Sequence, residues 1–165
     1  MLDEPKLFIS ASYPRALSLT EVLEEIGGYI KEKPAHRYEI IVGSDSAGFD
    51  ERPVSIVTAL TVRRVGNGGR YFYLRQESKL FHHMRDRIYA EAISSITLAQ
   101  ELRGRLREML GEDIFWQDQI HIDVGEKGLS RTFVDEVVGM IRGFNFTAVI
   151  KPSSFGASVV ADRHT

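Results

Sequence analysis

Apolar positions change their period several times along the chain, and each change marks an element. Ser18 followed by Glu21 has the form of a capping box. The residues after it, Val22, Leu23, Ile26, Tyr29 and Ile30, recur at helical spacing up to Lys33-Pro34, which predicts a first helix. Tyr38 to Val42 is a short β-branched run that breaks into the polar, turn-rich segment from Gly43 to Gly48: a buried strand followed by an aspartate, Asp45. Val54 to Arg64 and Arg70 to Gln76 are strand-like runs on either side of Gly66-Asn67-Gly68-Gly69, and predict a β-hairpin. From Leu80 to about Met109 the spacing of Phe81, Met84, Ile88, Ala92, Ile96, Ala99, Leu102 and Leu106 predicts a long helix.

Between Gln119 and Gly125, Ile120, Ile122 and Val124 alternate with His121 and Asp123, the period of a strand with two different faces. Ser130 caps a further helix that carries Phe133, Val134, Val137, Val138 and Ile141 and ends near Gly143. A strand over Phe146 to Ile150 and a last helix over Ser154 to Thr165 complete the reading. The order α, β, ββ, α, β, α, β, α predicts an α/β fold, a mixed five-stranded sheet with helices on both faces and an extra N-terminal helix. At 165 residues the chain fits one domain, with residues 1–37 as a helical extension and 38–165 as the core.

Composition narrows the chemistry. The absence of cysteine removes disulfides, thiol nucleophiles and cysteine-based zinc sites, and fits a cytoplasmic protein. No apolar run approaches the roughly 20 residues that span a bilayer. A net charge of −2 excludes binding of nucleic acid by bulk charge, so any such binding needs a local patch. Residues 52–87 supply one: eight arginines or lysines against Glu77 and Asp86, a local charge of +6. Within it Arg63, Arg64, Arg70 and Arg75 interleave with Tyr71, Phe72 and Tyr73, a composition suited to phosphate contacts and base stacking and equally to an ordinary solvated hairpin.

Asp45 and Asp123 each follow a core strand. Parallel strands place such ends on one edge of a sheet, where open α/β sheets bind ligands. Two carboxylates held close repel unless a cation lies between them, and an all-oxygen donor set selects a hard divalent ion, Mg²⁺ or Mn²⁺. Glu91 lies at the edge of the long helix's apolar face. Asp162 continues the line of Phe155 and Val159 on the last helix. Each alone is also what a turn, a cap or a solvated flank carries. The set of four stands out because all occupy element positions able to converge. Ser44 and Ser46 flank Asp45, His121 shares a strand face with Asp123, and His164 follows Asp162. These are candidates for orienting a carboxylate or for acid–base work. Arg131, Lys151 and Arg163 are candidate phosphate contacts.

The segments Gly-Ser-Asp-Ser at 43–46, Arg-Ile-Tyr-Ala-Glu-Ala at 87–92, His-Ile-Asp-Val-Gly at 121–125, Val-Val-Gly-Met-Ile at 137–141 and Val-Ala-Asp-Arg-His-Thr at 160–165 resemble the YkuK-type bacterial family of ribonuclease H-like fold. The resemblance covers residues 38–165. It implies that Asp45, Glu91, Asp123 and Asp162 are the catalytic carboxylates and hold two Mg²⁺ or Mn²⁺ ions for phosphodiester hydrolysis of nucleic acid. The sequence departs from that superfamily in two respects. Ser46 stands where ribonucleases H commonly have glycine, and a basic protrusion that grips RNA/DNA hybrids is missing. Two other expectations stay open: a catalytically silent nucleic-acid-binding or dimeric module, and a metal-dependent hydrolase of small phosphoesters or nucleotides.

Overall fold

The structure, a computed structural model, describes residues 5–46, 52–124 and 129–150. Two short strands, β1 (Leu7–Phe8) and β2 (Leu17–Ser18), pair antiparallel ahead of helix α1 (Leu19–Glu32). The capping box is formed: the Ser18 hydroxyl accepts from the Glu21 N–H at 3.2 Å. Val22, Leu23, Ile26 and Ile30 turn inward and are essentially inaccessible to solvent.

Five strands form the main sheet: β3 (Tyr38–Ser46), β4 (Ile56–Arg64), β5 (Gly69–Arg75), β6 (Gln117–Ile122) and β7 (Thr147–Ile150). They lie in the order β5-β4-β3-β6-β7. β4 runs antiparallel to both β3 and β5, whereas β6 is parallel to β3 and β7 is parallel to β6. Parallel pairs need crossovers. Helix α3 (Arg131–Gly143) lies between β6 and β7; the hairpin and the long helix α2 (Met84–Leu110) lie between β3 and β6.

Strand alternation sorts the sheet into two faces. Ile40, Val42, Leu60, Val62, Phe72, Leu74, Ile120 and Ile122 join one large core with the inward sides of α1, α2 and α3. All three described helices therefore cover the same face. The opposite face carries a smaller cluster of Ile41, Val57 and Ala59, against which Tyr73 packs. The helix expected over 154–165 lies outside the described residues.

Element bounds differ from the sequence reading at several ends, and three of these bear on the site. β3 runs on through Ser46 instead of stopping at Val42, because Gly43, Ser44, Asp45 and Ser46 pair with Ala59, Thr58, Val57 and Ile56. Ser44 and Ser46 are buried in that extension, and hydrogen bonds satisfy their hydroxyls. α2 begins at Met84, four residues later than its periodicity suggested: Leu80 is exposed and His83 caps the helix without a side-chain bond. β6 spans Gln117–Ile122, so Asp123 follows the strand directly. The sequence reading made no element of β1 and β2, since strands of two residues have no period to detect.

Candidate active site

The carboxyl ends of β3 and β6 lie side by side. Their parallel register aligns Val42 with Ile120 and Gly43 with His121. The ladder ends there: Asp45 lies two residues beyond Gly43, still within β3, and Asp123 two residues beyond His121, just past the end of β6. Both aspartates occupy alternate positions to the core residues Val42 and Ile122, so their side chains belong to the face opposite the helices.

Glu91 approaches from the helix side. It stands in the second turn of α2, which α2 packing on β3 brings over Ser46, and it is 9% exposed. Ser46 donates from its hydroxyl to Glu91 Oε1 at 2.5 Å. Arg87, one helical turn earlier, donates from Nε to the Ser46 hydroxyl at 2.6 Å and from a terminal nitrogen to the Ser46 carbonyl, and lies 3.7 Å from Glu91 Oε1. Burial pushes the Glu91 carboxyl up from the usual 4.5 to about 7. The charge of Asp45 pushes the same way, whereas the Ser46 hydrogen bond and the Arg87 guanidinium pull back. Asp45 itself accepts at Oδ1 from the Ser46 N–H at 2.9 Å. Ser46 thus touches both carboxylates, one through its backbone and one through its side chain.

Ser44 does not turn toward the carboxylates. Its hydroxyl lies 2.9 Å from that of Thr58 and 2.7 Å from that of Ser95, a buried hydroxyl chain that ties β3, β4 and α2 together. His121 is 1% exposed, with Nε2 at 3.0 Å from Gln119 Oε1. Arg87 escaped the sequence reading as a candidate. The signal was present: an arginine four residues before a glutamate on one helix face is an ion-pair spacing.

The donor chemistry fits a hard divalent cation: every candidate ligand is a carboxylate, and Glu91 is buried where a second negative charge acts on it. Among the described residues, however, no three His, Asp or Glu side chains are gathered closely enough to hold a metal ion. Asp162, His164, Lys151 and Arg163 lie outside the described residues.

A sequence profile named ribonuclease H-like matches residues 21–165. The chain belongs to the ribonuclease H-like family. It is also similar, at 28% identity over 159 residues, to a Bacillus subtilis (strain 168) protein described as "Uncharacterized protein YkuK"; the alignment covers 90% of this chain and 91% of that one. No solved structure matches the chain.

In this ribonuclease H-like chain the hairpin's cations and aromatics divide between the two faces. Arg63, Tyr71, Tyr73 and Arg75 alternate with the core residues Val62, Phe72 and Leu74 and share the face of Asp45. Arg64 and Arg70 lie on the helix side. The sequence reading placed Arg64 among the candidate phosphate-binding residues; it is 5% exposed and fully engaged inside the protein. Its guanidinium stacks 4.0 Å above the Tyr29 ring and donates to the Tyr29 carbonyl at 2.8 Å and to the Tyr38 hydroxyl at 3.0 Å. Tyr38 in turn donates to the Lys33 carbonyl at 2.8 Å, so the pair satisfies acceptors at the end of α1. Arg70 is exposed and lies 4.5 Å above the same Tyr29 ring. Arg131 is exposed in the first turn of α3, paired with Asp135 at 3.3 Å.

Proposed function

We propose that the protein is a metal-dependent nuclease that hydrolyses phosphodiester bonds of nucleic acid, with Asp45, Glu91, Asp123 and Asp162 as the ligands of Mg²⁺ or Mn²⁺. One observation carries this reading: Glu91 is buried beside Ser46 at the strand end that bears Asp45, and it feels the Asp45 charge. A buried carboxylate next to a second one is costly unless a cation relieves it. Held by these carboxylates, divalent ions would supply Lewis-acid chemistry, activation of a water and stabilisation of a leaving oxygen. The chain's own residues prepare for that. Ser46 holds Asp45 through its N–H and Glu91 through its hydroxyl, and Arg87 anchors Ser46 while offsetting part of the local negative charge.

The test is a calorimetric Mn²⁺ titration of the wild type beside Asp45→Asn and Asp123→Asn. Both variants are expected to bind at least tenfold more weakly, about 1.4 kcal/mol. Cleavage of RNA, DNA or a hybrid by the wild type in Mn²⁺ then completes the case. Wild-type protein that takes up no metal, or variants that bind as well as it does, would sink the reading. That result favours a catalytically silent binding module of the same fold, the alternative motivated by Ser46 standing where ribonucleases H commonly have glycine and by the missing basic protrusion.

A further inference from the structure

Outside the carboxylate edge, the least explained feature is the outward face of β5. The strand reads Gly69-Arg70-Tyr71-Phe72-Tyr73-Leu74-Arg75. Phe72 and Leu74 are buried in the main core, which leaves Tyr71, Tyr73 and Arg75 on the other face. Tyr71 is 36% exposed. Tyr73 packs its inner side on Ile41, Val57 and Ala59 and stays partly accessible. Past the strand, Ile9 pairs with Tyr73 through two backbone hydrogen bonds of 2.8 and 2.9 Å, so its side chain, 46% exposed, continues the same surface. Cations bracket the two rings. Arg63 lies across from Gly69, its side chain 40% exposed and 3.6 Å from Glu39, and Arg75 is exposed at the other end.

We infer that this face is a stacking platform for single-stranded nucleic acid. Side chains two residues apart on a strand are separated by about 6.8 Å, twice the roughly 3.4 Å rise per nucleotide of a helical strand. A nucleic acid that places successive bases on Tyr71 and Tyr73 must therefore be extended and unstacked, which a duplex is not. Tyrosine rings offer a π-face to any base, and the flanking arginines meet the phosphates. The direction follows from the sheet. β5 runs parallel in sense to β3, because each is antiparallel to β4, and the register places Arg75 across Val57 from Asp45. A strand led over Tyr71 and then Tyr73 brings its next phosphate to the row that ends at Asp45. The inference shares with the proposed function only the premise that nucleic acid is the partner; it asks nothing of a metal.

Fluorescence anisotropy with the full chain in EDTA tests it, since chelation removes metal binding and cleavage from the readout. The probes are labelled oligo-dT and oligo-rU of about 12 nucleotides and a duplex of equal length. The wild type is expected to bind the single strands in preference to the duplex. Replacing both rings, Tyr71→Leu with Tyr73→Leu, keeps apolar bulk over Ile41 and Val57 and should weaken binding about tenfold or more. The Tyr71→Phe, Tyr73→Phe pair should bind like the wild type. Arg75→Gln should lower the slope of log affinity against log salt by about 0.7. Equal binding of duplex, no binding of either single strand, or unchanged affinity in a leucine pair that still melts cooperatively would overturn the platform. So would a leucine pair that changes only the oligomeric state. Tyrosine-dependent binding by a protein that takes up no Mn²⁺ would end the nuclease reading and leave the platform standing.

Discussion

Glu91 is the residue at which the energetics are sharpest. Its carboxyl is held near 7 in the folded chain against about 4.5 in the unfolded one, chiefly by burial. The folded state therefore binds the proton more tightly. The associated stability is fully present below about pH 4.5 and is lost as the pH rises through 7. The upper bound on this effect is about 3 kcal/mol. Glu91→Gln removes the ionisation while keeping an acceptor for Ser46. Thermal melts from pH 5 to pH 8.5 should show the wild type losing stability relative to this variant as the pH rises, with the gap opening between pH 5 and 7.5. Parallel curves for the two proteins would show that Glu91 does not titrate in this window. At this scale the sequence was readable in part. Asp45, Glu91 and Asp123 stand out by residue type and position, but nothing in a linear pattern reveals that Ser46 bonds to two of them. Arg64 shows the opposite failure: an arginine in a basic hairpin reads as solvated, and only the Tyr29 and Tyr38 rings around it show that it is core.

At the scale of elements, periodicity located every helix of the described chain and the hairpin, because amphipathic stripes and glycine turns are local signals. It misplaced ends where tertiary contacts decide. The Gly43–Ser46 segment has the composition of a turn, yet it is held as strand by four register pairs with β4, the last of a continuous ladder of nine, and by hydroxyl bonds to α2 and β4. The hairpin turn itself obeys local chemistry: Gly66 and Gly68 have φ of 77° and 83°, a region costly to residues with a Cβ. Gly68→Ala should lower stability by about 1–2 kcal/mol, read as a reduced urea midpoint at unchanged slope. A variant as stable as the wild type would show that the turn relaxes into another form. The turn sets the register of β4 on β5, and so decides which residues share a face. Tyr71 stands with Asp45 because the connection has this length; a one-residue slip would exchange it with Phe72, whereas Arg63 is placed by the pairing of β4 with β3.

For the whole molecule, the mixed sheet is what sets the ends of β3 and β6 side by side, and its order β5-β4-β3-β6-β7 was not legible from any one segment. Alternation of strands and helices predicted parallel pairs, and the hairpin predicted an antiparallel one. Adjacency of β3 and β6 rests on long-range burial, which sequence spacing does not encode. Among the described residues no helix is long and apolar enough to cross a membrane.

The pairing of β3 with β6 also has a history in time. Glu39 meets Gln117 across a stretch that contains the whole hairpin and α2, the longest loop closed by any ladder in the sheet. Contacts so distant along the chain form late, after local ones have reduced the entropy of closure. The hairpin amides of Leu60 and Phe72 should therefore gain protection in pulse-labelled hydrogen exchange before those of Ile120 and His121; simultaneous protection would refute this order. On a ribosome the difference is larger still. The strand end that bears Asp45 must wait for some seventy further residues before its parallel neighbour exists, so a growing chain can carry a finished hairpin while its carboxylate edge is still half built.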